Sequence, residues 1–294
     1  MKQVTQQRSV PVTGSYDVVV CGGGPAGWIA AVAAARSGAK TALIEQFGFV
    51  GGMATAGLVL PISVFTYNGK LVCGGIPWEF VQRMEALRGA QVEKPLGNVA
   101  HDPEIYKLMA QRMLLEAGVE LHLHCTITGC LHRQGHLSHV IFDTRQGPQA
   151  FEARYVIDAT GDGDLFARAG AGHETLADAE CRSSTTALVW RIGGCDWNAF
   201  YEWKNAHPDL ANTMRTTLGK IAGFRSLPLA SNQNDICWIN NWHPGRDCTV
   251  IKDQTETEMD TRDTMRDVLE YLRETVPTAF GNAFIYDIAP QLGT

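Results

Sequence analysis

Gly22, Gly24 and Gly27 stand at the spacing G-x-G-x-x-G in the run Gly22-Gly23-Gly24-Pro25-Ala26-Gly27. The chemistry served by that spacing is capture of a nucleotide diphosphate. The first glycine permits a tight turn, the second lets a pyrophosphate approach the backbone, and the third lets a helix pack closely on a sheet. A helix opening at Pro25 and Ala26 presents N–H groups and a partial positive charge to the phosphates. Glu45 lies 18 residues beyond Gly27, where a carboxylate can accept hydrogen bonds from both ribose hydroxyls. Gln46 follows it, and no arginine stands nearby for a 2′-phosphate, which argues against NADP.

A Gly-rich turn can match such a pattern by chance, so the flanking elements decide. Residues 17–21 are a Val-rich apolar run, as in a strand buried on both faces of a parallel sheet. Residues 26–37 are mostly Ala with Trp28, Ile29 and Val32, and Gly38 stands where a helix commonly ends. Residues 41–44 read as the next strand, so the series has the size of one βαβ unit. The combined context predicts dinucleotide binding.

Residues 46–100 are Gly-rich and irregular apart from a helix predicted over 77–87. Asp102 is a good N-cap with Pro103 behind it, and Ile105, Leu108, Met109, Met113 and Leu115 give the following helix its apolar face. Residues 119–155 predict a strand and an antiparallel meander; 155–159 return to a buried-strand pattern leading into Thr160-Gly161-Asp162-Gly163-Asp164. Beyond Gly172 five of the seven tryptophans accumulate, which suits a separate domain with an aromatic core or cleft. A helix is clearest there at Met265, Val268, Leu269 and Leu272.

The 294 residues correspond to about two domains at roughly 150 residues each. At 45% apolar and 19% charged, the chain is a poor candidate for disorder. A net charge of −6 without a basic run makes nucleic acid an unlikely partner. Eight cysteines without a Cys-x-x-Cys pair read as buried thiols in a reducing compartment. The polar first 15 residues and the lack of an 18-residue apolar run predict a cytoplasmic protein with no membrane partner.

NAD and FAD share an ADP moiety, so the first turn alone does not separate them. The stretch 17–45, the second glycine run Gly51-Gly52-Met53-Ala54-Thr55 and the strand Val156-Ile157-Asp158-Ala159-Thr160-Gly161 with Asp162-Gly163-Asp164 resemble FAD-dependent oxidoreductases of the glutathione-reductase-like group of flavoproteins with two dinucleotide-binding domains. The resemblance is strongest to a bacterial family of largely unassigned substrate. It implies noncovalent FAD, with Gly52, Met53 and Thr55 beside the flavin diphosphate and ribityl chain. It places Thr160, Gly161 and the adjoining Asp162 by the ADP half, and gives Ile127 a backbone contact with adenine. An NAD-only enzyme has no need of the second loop. Members of that group continue beyond the position of Thr294 with an Arg-rich segment, a strand and a helix near the flavin pyrimidine. The expectation is therefore a truncated product, or a site completed by a second chain or another copy in a homo-oligomer.

Other residues invite chemistry and have plainer readings. His122, His124, Cys125, Cys130, His132, His136 and His139 crowd within 18 residues, yet their spacing is no recognised zinc pattern and His124 and Cys125 point to opposite strand faces, so no metal is expected. Cys21 beside the turn reads as a small buried hydrophobe. Asn240, Asn241, His243 and Arg246 lie among Trp238, Trp242 and Pro244, as polar groups lie in a substrate cleft; a satisfied surface loop explains the same residues and is the favoured reading. His243 is the candidate proton carrier and Arg246 the candidate anchor for an acidic substrate. His101, a further candidate acid or base, reads as decoration of the helix start.

The fold expected is α/β: a Rossmann-like parallel sheet with an antiparallel meander, plus an α+β substrate domain. A polar arm is expected over 1–15, an FAD-binding domain over 16–172 and a substrate or cap domain over 173–294. The leading function is oxidation or reduction of a small organic substrate through FAD. The alternatives are a non-catalytic FAD-binding half needing a partner and an NAD-dependent dehydrogenase.

Overall fold

The computed structural model describes residues 4–5, 7–92, 97–133, 135–173, 185–224, 226–230 and 235–293. In chain order these begin with β1 (Val12–Cys21), α1 (Pro25–Arg36), β2 (Thr41–Ile44), β3 (Thr66–Tyr67), β4 (Lys70–Leu71), α2 (Ile76–Ala86), β5 (Ala90–Val92) and β6 (Val99–His101). Next come α3 (Pro103–Glu116), β7 (Glu120–His122), β8 (Thr126–Arg133), β9 (His136–Thr144), β10 (Gly147–Asp158) and α4 (Asp164–Arg168). The last are β11 (Thr185–Gly193), α5 (Trp197–Ala206), α6 (Pro208–Ala222), β12 (Leu229–Ala230), β13 (Cys237–Pro244), α7 (Ile251–Thr275), α8 (Pro277–Phe280) and β14 (Phe284–Ile288). The chain forms two compact units, residues 1–52 with 107–173, and residues 53–106 with 174–294.

Unit one is built on a six-stranded sheet in the order β7-β2-β1-β10-β9-β8. The pairs β7–β2, β2–β1 and β1–β10 are parallel, whereas β10–β9 and β9–β8 are antiparallel. Val19, Cys21, Ala42 and Ile44 from one sheet face share a core with Val140, Phe142 and Phe151 of the meander. Val20 and Leu43, also fully buried, alternate to the other face. Helix α1 buries Gly27, Trp28, Ala31 and Val32 and packs on β1 and β2. The meander's last strand and the buried strand predicted at 155–159 are one element, β10. Its first half alternates inward Phe151 and Ala153 with exposed Glu152 and Arg154, and its second half becomes a central parallel strand. That change of environment within one strand makes the sequence read as two.

Register fixes what matters for a ligand. Cys21 pairs with both Ile44 and Asp158, and Ile44 with His122. The carboxyl ends of four parallel strands are thus level, and the loops after them emerge in one row, where open α/β sheets bind ligands.

Unit two carries a four-stranded antiparallel sheet, β12-β13-β11-β14. Trp190, Ile192, Cys237 and Ile239 on one face join a core with Trp197, Phe200, Met214, Leu218, Val268 and Leu272 from the helices. Trp238, of the opposite parity, packs with Val189, Leu58 and Leu60, and its Nε1 donates to the Leu58 carbonyl at 2.7 Å. This packing groups residues 53–106 with the C-terminal unit, which differs from one boundary near residue 172. The polar arm read over 1–15 enters β1 from Val12 onward, and residues 1–3 and 6 of it lie outside the described residues. Helix α7 is far longer than the stretch 265–272 suggests because Thr257 and Thr261 extend its buried stripe; threonine does not read as apolar.

Candidate functional site

The three glycines of the first turn occupy different environments. Gly22 has φ +95° and continues the strand by donating to the Ile44 carbonyl at 2.8 Å. A Cβ on Gly27 would lie 1.9 Å from the Gly22 carbonyl oxygen, so helix α1 can seat here only without one. Gly24 faces open space instead: an added Cβ would meet nothing nearer than the Ala159 carbonyl at 4.0 Å. Gly24 is also the N-cap of α1, with no side-chain cap, Pro25 in the first turn and no acidic residue there. Pro25 and Ala26 are exposed beside it. A helix start with no side-chain cap and no acid in its first turn, next to open space at Gly24, suits a diphosphate.

Glu45 follows β2 and is 6% exposed. Its Oε2 accepts from Gly23 N at 2.6 Å and its Oε1 from Phe47 N at 2.8 Å. Burial pushes its carboxyl above the ordinary 4.5, and backbone hydrogen bonds from Phe47, Gly23 and Gln46 oppose the rise. A carboxylate has about four lone-pair sites, so acceptor capacity is left for a ribose. The Gln46 side chain is exposed next to it.

The second glycine run docks on the first. Gly51 N donates to the Gly23 carbonyl at 2.8 Å, and a Cβ on Gly52 would lie 2.8 Å from Gly24 Cα. The sequence spacing did not show this contact, because it depends on β1 and β2 ending level.

The third loop of the row is organised by Asp158, a residue to which sequence reasoning gave no role. Its Oδ1 accepts from Thr160 N at 3.0 Å and Thr160 Oγ1 at 2.8 Å, while Oδ2 accepts from Leu165 N at 3.1 Å and Phe166 N at 2.9 Å. One carboxylate therefore closes the 159–163 turn and caps α4. The signal was available: an Asp ends a buried strand shortly before a helix. Gly161, at φ +91°, and Asp162 are exposed on this turn. Ile127 sits on the edge strand β8 opposite Phe142, packed against the unit-one core.

Met53 and Thr55 belong to unit two. Thr55 is buried, and the turn holding both closes through Val59 N to the Met53 carbonyl at 2.8 Å. Asp102 caps α3 as expected, accepting from Glu104 N at 2.8 Å. His101 is not helix-start decoration: it ends β6, pairs with Ala90 of β5 and is fully buried. Its Nε2 lies 2.8 Å from the Ala54 carbonyl. Burial holds its pKa down to about 4, against the backbone bonds and Asp102 and aided by Arg191.

Arg246 is engaged by two carboxylates of α7, Glu256 and, at 2.8 Å, Asp260. The His243 Nε2 bonds Thr261 Oγ1 at 2.7 Å, and burial lowers its pKa. Asn241 accepts from Trp190 Nε1 at 2.8 Å and donates to Thr264 at 2.5 Å. These polar residues tie β13 to α7. Among the described residues no group of three or more His, Cys, Asp or Glu is placed to hold a metal. Cys21 is buried, which raises its thiol pKa. No helix of the described residues is long and apolar enough to cross a membrane.

A family profile described as FAD dependent oxidoreductase matches residues 17–294. Dihydrolipoyl dehydrogenase of Trypanosoma brucei brucei is 52% identical over 46 residues, which are 16% of this chain and 10% of that protein. The same enzyme of Acholeplasma laidlawii is 39% identical over 56 residues, 19% of this chain and 16% of that one. Among solved structures, a geranylgeranyl bacteriochlorophyll reductase-like protein from Thermoplasma acidophilum is similar with a TM-score of 0.62 at 16% identity, covering 96% of this chain and 66% of that one. The flavin-dependent monooxygenase PieE, solved with FAD and substrate, is similar with a TM-score of 0.54 at 16% identity, covering 96% of this chain and 50% of that one. The chain thus spans a small part of these curated relatives and at most about two thirds of these two structures.

Proposed function

The chain belongs to the FAD dependent oxidoreductase family, and from that premise we propose that it binds FAD noncovalently and passes a hydride or electron pair between the flavin and a small organic substrate. The observation that carries this reading is the uncapped start of α1 at Gly24, opening on a space where backbone and ligand can meet. Glu45 accepts from the ADP ribose, and the turn 159–163, held by Asp158, borders the ADP half with Thr160, Gly161 and Asp162. The docking of Gly51 and Gly52 on the first turn supports FAD over NAD, since a second loop against the diphosphate serves the longer flavin nucleotide. Gly52, Met53 and Thr55 are assigned to the flavin diphosphate and ribityl chain, and Ile127 to adenine, on the family resemblance.

When bound, the flavin supplies the redox step; the protein supplies orientation, electrostatics and exclusion of water. Unit one is the nucleotide-binding unit and unit two the substrate unit, with residues 53–106 counted in the second. His243 and Arg246, tied to Thr261, Glu256 and Asp260, serve the join of β13 and α7 before any substrate. The finer affiliation, with the glutathione-reductase-like flavoproteins, is supported by the likeness of residues 17–45, 51–55 and 156–164.

Absorbance of the purified chain between about 350 and 500 nm, where flavin absorbs and NAD⁺ does not, tests the reading. A yellow protein with one FAD per chain, bleached anaerobically by a reducing substrate, supports it. A colourless chain that takes up no added FAD overturns it.

A further inference from the structure

The backbone that follows the second glycine run is a single 3-10 turn, Gly52–Ala54, continuing through Thr55. Backbone bonds brace its two sides, Val59 N to the Met53 carbonyl at 2.8 Å and Leu58 N to the Thr55 carbonyl at 3.3 Å. The carbonyl between them, that of Ala54, meets His101 Nε2 at 2.8 Å. A carbonyl oxygen only accepts, so Nε2 must carry the hydrogen.

His101 is held where it can do little else. It is 0% exposed. Its ring lies 5.3 Å from the Tyr106 ring, which in turn packs edge-on at 4.6 Å against Phe80 of α2. Burying an imidazole among aromatic rings is unfavourable unless its polar atoms find partners, and a leucine or phenylalanine would fill the space at no such cost. Nε2 finds such a partner in the Ala54 carbonyl, whereas Nδ1 is buried with none among the described residues, so what the imidazole contributes is one N–H donor aimed at Ala54. In a trans peptide the C=O and the following N–H point in opposite directions. Fixing the Ala54 carbonyl therefore also fixes the direction of the Thr55 N–H and the start of the Thr55 side chain.

We infer that His101 is a positioning residue, whose Nε2–H clamps the Ala54 carbonyl and thereby sets the Ala54–Thr55 peptide in the segment assigned to the flavin. The inference rests on the FAD reading for its functional consequence and on this unit's own geometry for the clamp.

The test uses the full chain and two variants, His101→Gln, which keeps an N–H donor of similar reach, and His101→Phe, which fills the space without one. The readouts are FAD affinity by quenching of flavin fluorescence, the visible bands and midpoint potential of the bound flavin, and ring ¹⁵N NMR of the cofactor-free wild-type chain. Loss of this bond lets the Ala54–Thr55 peptide leave its binding orientation by up to about ten to one, and apparent affinity falls by that fraction, about tenfold. The expected result is that the Phe variant binds FAD about tenfold more weakly, with shifted bands or potential, while the Gln variant stays within about threefold with wild-type bands. The wild-type ring should show the neutral Nε2–H tautomer from about pH 5.5 to 8, given the usual histidine range. A Phe variant with wild-type affinity, bands and potential overturns the inference. So does a Gln variant that folds normally yet behaves as the Phe variant does. If the Phe variant fails to fold, the Gln variant and the NMR decide, and an Nδ1–H tautomer or a cationic ring at neutral pH refutes the clamp. A wild-type chain that shows the Nε2–H tautomer but takes up no FAD sinks the cofactor reading while the clamp itself is established.

Discussion

Glu45 accepts the backbone N–H of Gly23 at 2.6 Å, tying the end of the second strand to the middle of the glycine turn. The same carboxylate is the one assigned to the ribose, so turn geometry and sugar recognition are joined in one group. Because burial raises its pKa, the folded state holds this proton more tightly than the unfolded chain does. Stability from this group is then fully present below the unfolded value of about 4.5 and is lost as pH rises through the higher folded value. Glu45→Gln removes that burden but turns an amide NH2 toward one of the two backbone N–H groups, Gly23 or Phe47, from which its oxygens now accept. The expected outcome is a cofactor-free chain about 1 kcal/mol less stable than wild type at pH 7, by thermal unfolding, with FAD affinity reduced more than about tenfold by loss of charge-assisted bonds. Unchanged affinity would take Glu45 away from the ribose.

Gly24 and Gly27 should separate binding from folding. Gly24 has φ −60° and ψ 178°, which any residue adopts, and room for a Cβ. Gly24→Ala should leave stability within about 1 kcal/mol while weakening FAD about a hundredfold, as expected for forcing a methyl into a packed contact. Gly27→Ala drives its Cβ against the Gly22 carbonyl and should cost about 3 kcal/mol of stability as well as the cofactor. Urea unfolding and FAD titration of both variants check this. Equal loss of stability in the two would show that the space at Gly24 is not what the ligand uses.

The glycine turn, helix α1 and Glu45 were legible because glycine spacing, alanine content and a strand ending in Glu are local signals. The contact between Gly52 and Gly24 was not, since it depends on a register between strands distant in sequence. Asp158 is less legible: its place at the end of a strand shortly before a helix is the one local hint of a cap, and its four hydrogen bonds are made beyond the strand, where the apolar pattern carries no information. His101 was misread for the opposite reason: the Asp102 cap beside it is so clear that the histidine looked like part of the helix start, while the two-stranded pairing of β5 and β6 that buries it leaves almost no pattern. In unit two the threonines at 257 and 261 hid half of α7 in the same way.

Histidine 101 should also mark the acid limb of stability. Its folded pKa of about 4 lies below the ordinary 6.5, so the unfolded chain binds this proton first as pH falls. The group's stabilising contribution is complete above about pH 6.5 and is lost progressively between there and about pH 4, amounting to about 3 kcal/mol at the lower end. His101→Gln has no such titration. Its stability, followed by urea unfolding across that window, should fall less steeply than that of the wild type. Parallel curves would mean that His101 is protonated in the fold at mild pH.

The last relationship open to test is an ion pair in unit two, whose arginine is nearly buried and whose aspartate is about a third exposed. Arg191 Nε and Nη2 meet Asp287 Oδ1 and Oδ2 at 2.8 and 2.5 Å, joining β11 to β14 at directly paired positions. Burial opposes the Arg191 charge, yet the Asp287 bond and charge outweigh it and raise its pKa. The Tyr286 ring, 5.1 Å from the guanidinium, adds a cation–π contact. Removing Asp287, about a third exposed, leaves the nearly buried Arg191 guanidinium without its counter-ion, which costs more than removing both. Asp287→Ala should therefore lower stability by about 1 to 2 kcal/mol, less than for a fully buried pair because solvent reaches the aspartate, whereas Arg191→Met with Asp287→Leu should recover much of that loss. Urea unfolding of the single and double variants gives the coupling directly. If the double variant were as unstable as the single one, the pair would be a surface ion pair and β14 would be held by backbone and packing alone.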